Sequence, residues 1–161
     1  MSDKQLPIPP GDLRDVYGDD IEVGIDLPTG AHTVTAEEIV DFASMWDPQF
    51  FHVDADAAAH GYFGELIASG IHTLAVHQRL AVESHFARWN VIAGKGIRDL
   101  RFLVPVRAGD RLTGRLVVDS LERDGRGRAS IRIRAELTNQ HGQIVMELTM
   151  DTLILMRPET P

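Results

Sequence analysis

Apolar residues follow two different spacings along this chain, and the spacing changes near residue 90. Between residues 35 and 46, and again between about 70 and 85, they recur every three or four residues, as on one face of a helix. From residue 91 onward they alternate with polar residues, which is typical of strands with one buried face. The segments 123–127 and 139–142 contain glycine and polar residues and predict hairpin loops. The pattern therefore predicts helices first, followed by a run of antiparallel strands.

The first predicted helix has a start signal and a stop signal. Thr35 and Glu38 form a capping box, in which a hydroxyl and a carboxylate satisfy free backbone N–H groups. Pro48 ends the helix, because proline disfavours helical backbone in the residue before it. Residues 47–52 are expected to be irregular, and a short turn of helix is expected at 54–59.

The second predicted helix, from about 70 to 85, is the longest apolar helical segment. At about 100° per residue, its main core-facing stripe is expected to consist of Ile71, Leu74, Ala75, Ala81 and Val82. Val76 and Leu80 lie on the opposite side, which is expected to be covered as well. Gln78 falls inside the main stripe, so its amide is expected to have a buried partner. A sheet with one apolar face needs a cover of this kind, which predicts an α+β domain.

Four long strands are expected after this helix. The first covers residues 91–104, where Gly94 and Gly96 indicate a bulge or a close backbone approach. The alternating apolar positions of the other three are Leu112, Leu116 and Val118, then Ile131, Ile133, Ala135 and Leu137, then Ile144, Met146, Leu148 and Met150. Only a short strand at about 31–34 is expected before the helices.

The length of 161 residues is sufficient for one domain with its own core. Residues 1–20 are rich in proline, glycine and aspartate, so we expect an N-terminal arm without a packing pattern and a single domain over residues 21–161. The absence of cysteine excludes disulfides, cysteine-based zinc sites and thiol nucleophiles. No signal segment or membrane-length apolar run occurs in the sequence, so we expect a cytoplasmic protein with no membrane partner.

The charge of the chain is unevenly distributed. A net charge of −8 argues against nucleic acid as a partner. Residues 95–134 nevertheless hold 11 of the 16 Lys and Arg residues and carry about +6. Either these residues form solvated strand faces, or they form a local basic rim for a phosphate-bearing ligand.

Asp47, His52 and Gly70 are the candidate catalytic residues. A carboxylate and an imidazole can hold one water between them and exchange protons with it. Gly70 begins the long helix, where a free backbone N–H and the positive end of the helix dipole can polarise a carbonyl oxygen. Each feature alone is more often structural, whereas the combination favours catalysis. A metal site is not expected, because His52 and Asp54 lack a third ligand of suitable spacing.

The run Asp47-Pro48-Gln49-Phe50-Phe51-His52-Val53-Asp54, followed by Ser69-Gly70, resembles the hydratase motif of the MaoC-like family. That motif is Asp-x-Asn-Pro-(Ile/Leu)-His, with an Asp two residues later and a His-Gly at the start of a central helix. The two spacings, five residues from Asp47 to His52 and eighteen from His52 to Gly70, agree with it. Gln49-Phe50 stands in place of Asn-Pro, and Ser69 in place of the second His. A later run, Leu100 to Val106 with Gly109-Asp110, resembles a strand and turn of the family, and the resemblance covers residues 30–156.

This resemblance implies the hot-dog fold, an antiparallel β-sheet wrapped around a long central helix. It also implies the addition of water to a 2-enoyl thioester of coenzyme A or acyl-carrier protein, giving the (R)-3-hydroxyacyl thioester, and the reverse reaction. Asp47 and His52 would activate the water, and the Gly70 N–H would bind the thioester oxygen. No cofactor is implied, since coenzyme A is only part of the substrate, and the family suggests a homodimer or a higher homo-oligomer.

Further residues are expected to contact the substrate. Phe51 belongs to an aromatic cluster suited to an acyl pocket, and Lys95 and Arg98 are candidates for contacts with coenzyme A phosphates. The complete set of expected substrate contacts is Ser69, Phe51, Gln78, Lys95 and Arg98.

Two alternatives remain open. A hot-dog thioesterase would hydrolyse the same ligands, but such enzymes often place a carboxylate on the central helix, and here that helix carries only Glu83, near its far end. A non-catalytic protein that binds acyl thioesters is the other alternative, and the replacement of Asn-Pro by Gln49-Phe50 supports it.

Overall fold

The computed structural model describes residues 14–158, in which the elements follow the predicted order. A short 3₁₀ turn at Gly18–Asp20 precedes them. The strands are β1 (Asp26–Thr33), β2 (Val91–Phe102), β3 (Arg111–Arg123), β4 (Arg128–Thr138) and β5 (Ile144–Leu155). The helices are α1 (Ala36–Trp46), α2 (Phe50–Val53), α3 (Ala55–Ala59) and α4 (Gly70–Ala81), which continues into a π-helical turn at Val82–Phe86.

The five strands form one antiparallel sheet in the order β1-β3-β4-β5-β2. The hairpin loops predicted at 123–127 and 139–142 connect β3 to β4 and β4 to β5. Helix α4 contacts β1 and β3, so the predicted cover of the sheet is present. Strands β1 and β2 are the two edges of the sheet, so among residues 14–158 one side of each has no strand partner.

The core lies between α4 and the inner face of the sheet. In β4 the apolar residues predicted to alternate are all buried, because a period of two places them on the same face. The inner residues of β3 and β5 meet them, and the largest fully buried side chains include Leu112, Leu116, Met146, Leu148 and Ile154. The alternation in the sequence therefore predicted the buried face of the sheet correctly.

The buried face of α4 differs from the prediction. Its buried residues are His72, Thr73, Val76, His77, Leu80 and Ala81, whereas Ile71 is 55% exposed. Gln78 is exposed as well, so the expectation of a buried amide partner is wrong. Helix α4 carries apolar residues on several sides, so its hydropathy pattern does not identify the side that is buried. The buried face is the one that meets the sheet, and the position of the sheet is not visible in the sequence of the helix.

Two further expectations are corrected, and two are confirmed. Residues 50–53 form the short helix α2, although the proline, aspartate and glycine residues around this segment predicted irregular structure. Strand β1 is longer than the expected 31–34, with an irregularity in its pairing between Pro28 and Ala31. The helix at 55–59 agrees with the expected turn, and Thr35 and Glu38 form the predicted capping box of α1.

Residues 14–20 pack against the domain, so the expectation of an arm without packing is wrong for them. The N–H of Val16 donates to the carbonyl of Arg88 at 3.0 Å, and the N–H of Asn90 donates to the carbonyl of Val16 at 2.8 Å. These partners are more than seventy residues away in the sequence, which local composition cannot indicate. Residues 1–13, which make up most of the expected arm, lie outside the described residues.

The basic segment 95–134 forms ion pairs along the strands. Eight of its eleven cations have a carboxylate partner, namely Arg98, Arg101, Arg107, Arg115, Arg123, Arg128, Arg132 and Arg134. This supports the interpretation as solvated strand faces. Across residues 14–158, no helix has the length and apolar character needed to cross a membrane.

Candidate active site

Asp47 is the C-cap of α1 and is held by two side-chain donors. The hydroxyl of Ser69 donates to Oδ2 at 2.6 Å, and the amide of Gln49 donates to Oδ1 at 2.8 Å. The Ser69 hydrogen bond, followed by that from Gln49, holds the pKa of Asp47 below its usual value. Asp47 is therefore a carboxylate near neutral pH.

His52 lies in α2 and is buried, with its two ring nitrogens in different surroundings. Its Nδ1 is 2.7 Å from the carbonyl oxygen of Ile67. Because a carbonyl oxygen only accepts, Nδ1 carries a proton and donates. In the neutral ring, Nε2 is then an acceptor, and it lies 3.4 Å from Oδ2 of Asp47. The two candidate catalytic groups thus face each other at a distance too long for a strong direct hydrogen bond.

Ser69 connects the start of α4 to Asp47. It is fully buried, and as the N-cap its Oγ accepts from the N–H of Ile71 at 3.2 Å while it donates to Asp47. One hydroxyl therefore caps the helix and orients the carboxylate. The MaoC-like motif has a histidine at this position. In this chain the residue is Ser69, whose hydroxyl both caps the helix and orients Asp47.

Gly70 is the first residue of α4, so its N–H belongs to the first turn, which has no intrahelical acceptor. A Cβ added to Gly70 would lie 2.6 Å from Cε2 of Phe102, closer than side chains pack. A side chain at position 70 would therefore force the Phe102 ring or the start of the helix to move. The N–H stands at the positive end of a twelve-residue helix.

A cavity of about 430 Å³ opens beside His52 and Gly70. Its wall is mostly apolar and includes Phe51, Phe63, Ile67, Thr73, Phe102, Val104 and Val106. The ring of Phe51 contacts the His52 ring edge-on, with 4.4 Å between the centroids. An acyl chain fits the chemistry of such a wall.

The structure brings five of the predicted site residues together, namely Asp47, His52, Gly70, Ser69 and Phe51. It does not bring the other three to this cavity. Gln78 and Lys95 line a separate cavity of about 400 Å³ between α4 and β2, and Arg98 forms an ion pair with Asp151. The helical and strand patterns could not place these three, because their positions depend on how β2 lies beside α4.

Three contributions to the site were not predicted. Gln49 supports Asp47, the carbonyl of Ile67 fixes the His52 tautomer, and Phe102 covers Gly70. The position of Gln49 two residues after Asp47 is a usable signal for the first. The sequence carries no signal for the other two, which come from a loop and a strand far along the chain.

Another group of titratable residues lies between β1, α1 and α4. The Oε1 atom of Glu38 is 2.7 Å from Nε2 of His32 and 3.6 Å from Nε2 of His72. The His72 ring stacks on Phe42, and burial lowers the pKa of His72. Within the described part of the chain, no group of three His, Asp or Glu residues has the geometry of a metal site.

Comparisons with known proteins identify the fold. The structure of a MaoC-like dehydratase from Rhodospirillum rubrum superposes with a TM-score of 0.80 and 34% identity, over 89% of this chain and 99% of that one. An R-hydratase from Pseudomonas aeruginosa superposes with a TM-score of 0.73 and 25% identity, over 91% of this chain and 94% of that one. The antiparallel sheet with its long helix matches these hot-dog proteins, which confirms the predicted fold.

Sequence comparisons agree with the structural ones. A 3-hydroxyacyl-thioester dehydratase of Mycobacterium tuberculosis is 36% identical over 97 residues, which are 59% of this chain and 64% of that protein. This chain thus matches less than two thirds of that relative's length. The model of the MaoC-like domain matches residues 24–141, which is most of the chain. The chain therefore belongs to the MaoC-like domain family.

Proposed function

We propose that this protein catalyses the reversible hydration of a 2-enoyl thioester to the (R)-3-hydroxyacyl thioester. The observation that carries the proposal is the pairing of an ionised Asp47 with the acceptor Nε2 of His52, 3.4 Å apart, beside the Gly70 helix start. Membership of the MaoC-like family and the similarity to an R-hydratase support a hydration or dehydration reaction on a thioester.

His52 is the proton-transfer group in this proposal. Because its pKa is lowered, Asp47 is ionised at neutral pH and has no proton to give. It therefore accepts a hydrogen bond from the water and orients it. The second hydrogen of that water points to Nε2 of His52, which is free because Nδ1 donates to Ile67. The water oxygen bonds to Cβ of the substrate while Nε2 takes the proton.

The electron pair of the Cα–Cβ double bond then moves towards the thioester, whose oxygen gains enolate charge. The Gly70 N–H donates to that oxygen, and a donor of this kind is worth about 3 kcal/mol in a transition state. The enolate collapses when Nε2 of the imidazolium returns its proton to Cα. Water is added across the double bond, and His52 and Asp47 end in their starting states.

The chain that follows the thioester would lie in the apolar cavity of about 430 Å³. Coenzyme A and an acyl-carrier protein both remain candidates for the thiol portion, because Lys95 and Arg98 do not line this cavity. A homodimer is part of the proposal. Strand β2 is a twelve-residue edge with the exposed apolar residues Ile92, Ile97 and Phe102, which favours association with a second copy.

A thioesterase is disfavoured by the surroundings of Glu83. This carboxylate lies beyond the end of α4, is exposed, and forms an ion pair with Arg79 at 2.8 Å. It is on the far end of the helix from Gly70, so it has no access to a thioester bound there.

The direct test is the loss of enoyl absorbance when the protein is mixed with crotonyl-CoA. Turnover by the parent, and a loss of at least about hundredfold in Asp47→Asn and His52→Ala, is the expected result. His60→Ala is the matched control, since His60 is exposed at the end of α3 and its side chain hydrogen-bonds only to the carbonyl of Asp56 among the described residues. Full activity in His52→Ala would overturn the mechanism. Release of free thiol would instead identify a thioesterase. Binding of acyl-CoA without turnover would point to another acyl chain as the substrate or to a non-catalytic binding protein.

A further inference from the structure

The pairing of β2 with β5 is irregular at three places, and the third, between Arg98 and Arg101, inserts one extra residue into β2. Arg98 pairs with Thr149 and Arg101 pairs with Glu147, so three steps along β2 match two steps along β5. The extra residue forms a bulge at Asp99, which has a φ of 54°. No other non-glycine residue within 14–158 has a positive φ. Aspartate tolerates this left-handed conformation better than most residues do.

The bulge decides which side of the sheet Phe102 occupies. Ile97 pairs with Met150 and Phe102 pairs with Met146, and both methionines are buried on the helix-facing side. Residues five positions apart in a regular strand point to opposite faces. The extra residue reverses the alternation, so Phe102 faces α4 on the same side as Ile97.

Phe102 then lies directly on the start of α4. Three atoms of its ring are 2.6 to 2.9 Å from the position that a Cβ on Gly70 would take. The ring also lines the cavity that His52 and Thr73 line, although it is 50% exposed. It therefore forms the wall of the cavity beside the N–H that receives the thioester oxygen.

We propose that Phe102 limits the width of the acyl group that this site accepts, and that Asp99 is the positioning residue that holds Phe102 in place. The inference rests on the proposed function, because it assigns Gly70 as the donor to the thioester. The ring fills the space next to Gly70 that a phenyl or branched substituent close to the thioester would need. The substrates expected from this proposal are therefore straight-chain 2-enoyl thioesters.

Asp99 acts without touching the substrate. Its side chain is exposed on the side of β2 that faces Arg101, Arg134 and Glu147, away from the cavity. A β-branched residue cannot hold a φ of 54° without strain, whereas glycine holds it freely. Replacements at Asp99 should therefore change selectivity only when they disturb the bulge.

Binding of saturated thioesters tests the inference without requiring turnover. The probes are butanoyl-CoA and 3-phenylpropanoyl-CoA, with affinities measured by calorimetry. We expect the parent to prefer butanoyl-CoA, and Phe102→Ala to shift the ratio of affinities at least tenfold towards the phenyl compound. Asp99→Val should shift the ratio in the same direction, and Asp99→Gly should keep the parent ratio. The double variant Asp99→Val with Phe102→Ala should match Phe102→Ala alone.

Gly125→Ala is the control for backbone strain, because Gly125 has a φ of 72° in the loop between β3 and β4 and space for a Cβ. It should lower the thermal midpoint without changing the ratio. If Asp99→Val does not fold, Asp99→Ala takes its place. Size-exclusion chromatography accompanies each variant, because Phe102 is exposed on an edge strand.

The outcomes separate the two proposals. If Phe102→Ala leaves the ratio of affinities unchanged, the role of Phe102 is overturned. The same conclusion holds if the variant keeps this ratio but changes its oligomeric state. A shift in Phe102→Ala without one in Asp99→Val overturns the role of Asp99. The expected ratios without any turnover of crotonyl-CoA would contradict the proposed hydratase but support the width limit. Failure of the parent to bind either acyl group, offered both as the coenzyme A thioester and as the acyl-carrier-protein thioester, would overturn both.

Discussion

The hydroxyl of Ser69 donates a hydrogen bond of 2.6 Å to Oδ2 of Asp47, across 22 residues of sequence. The same hydroxyl accepts from the N–H of Ile71 in the first turn of α4. The charge of Asp47 and the start of α4 are therefore controlled by one buried side chain.

Ser69→Ala removes the largest cause of the lowered pKa of Asp47. The carboxyl then protonates at a higher pH than in the parent, which a carboxyl-carbon NMR titration of Asp47 measures. The helix loses its N-cap as well, at a cost of about 1 kcal/mol in the free energy of unfolding. Ser69→Thr keeps a hydroxyl and should keep the titration of the parent. An Asp47 titration that stays unchanged in Ser69→Ala would show that the Ser69 hydroxyl does not lower the pKa of Asp47.

Gly70→Ala places a methyl group where the ring of Phe102 now lies. The ring or the helix start must shift, and a displacement of this size near reacting atoms lowers kcat/KM by roughly tenfold to hundredfold. The loss should be largely relieved in a Phe102→Ala background, where the clash is absent. Gly30→Ala, which meets no atom within 4 Å, is the control and should leave kcat/KM unchanged. Additive losses in the double variant would contradict the clash.

His77 gives the stability of the protein a pH dependence of its own. It is fully buried in α4, and burial lowers its pKa to about 4. In residues 14–158 neither ring nitrogen has a hydrogen-bond partner. The unfolded chain binds a proton near pH 6.5 and the folded protein only near pH 4, so stability falls as the pH drops from about 6.5 to about 4.

The size of this effect is about 3 kcal/mol in the free energy of unfolding. His77→Leu should remove it, leaving the variant more stable than the parent at pH 5 and similar at pH 7.5. Urea unfolding at the two pH values measures the difference, with His60→Leu as the exposed control. An equal pH dependence in His77→Leu and the parent would exclude His77 as its source.

Ile97→Lys tests association through β2. Ile97 is 51% exposed on the edge strand, and a charge there should weaken pairing with a second copy. Sedimentation velocity should show a dimer for the parent and a larger monomer fraction for the variant. Val23→Lys changes a residue of similar exposure outside the strands and should behave as the parent. A monomeric parent would contradict the proposed homodimer.

The sequence by itself determined the features that depend on near neighbours. The alternation in residues 129–137 fixed the buried face of β4, because a strand places every second residue on one side. The capping box of Thr35 and Glu38 fixed the start of α1. Asp47 and His52 lie close together partly because only four residues separate them.

The tertiary structure alone decided the features that depend on distant partners. The buried face of α4 is set by where the sheet lies, so the apolar Ile71 is exposed while His72 and His77 are buried. Phe102 reaches Gly70 only because of the bulge at Asp99, which exists through pairing with β5. The periodicity of apolar residues shows which faces of a helix or strand could be buried. Which of those faces is buried depends on contacts with residues that are distant in the sequence.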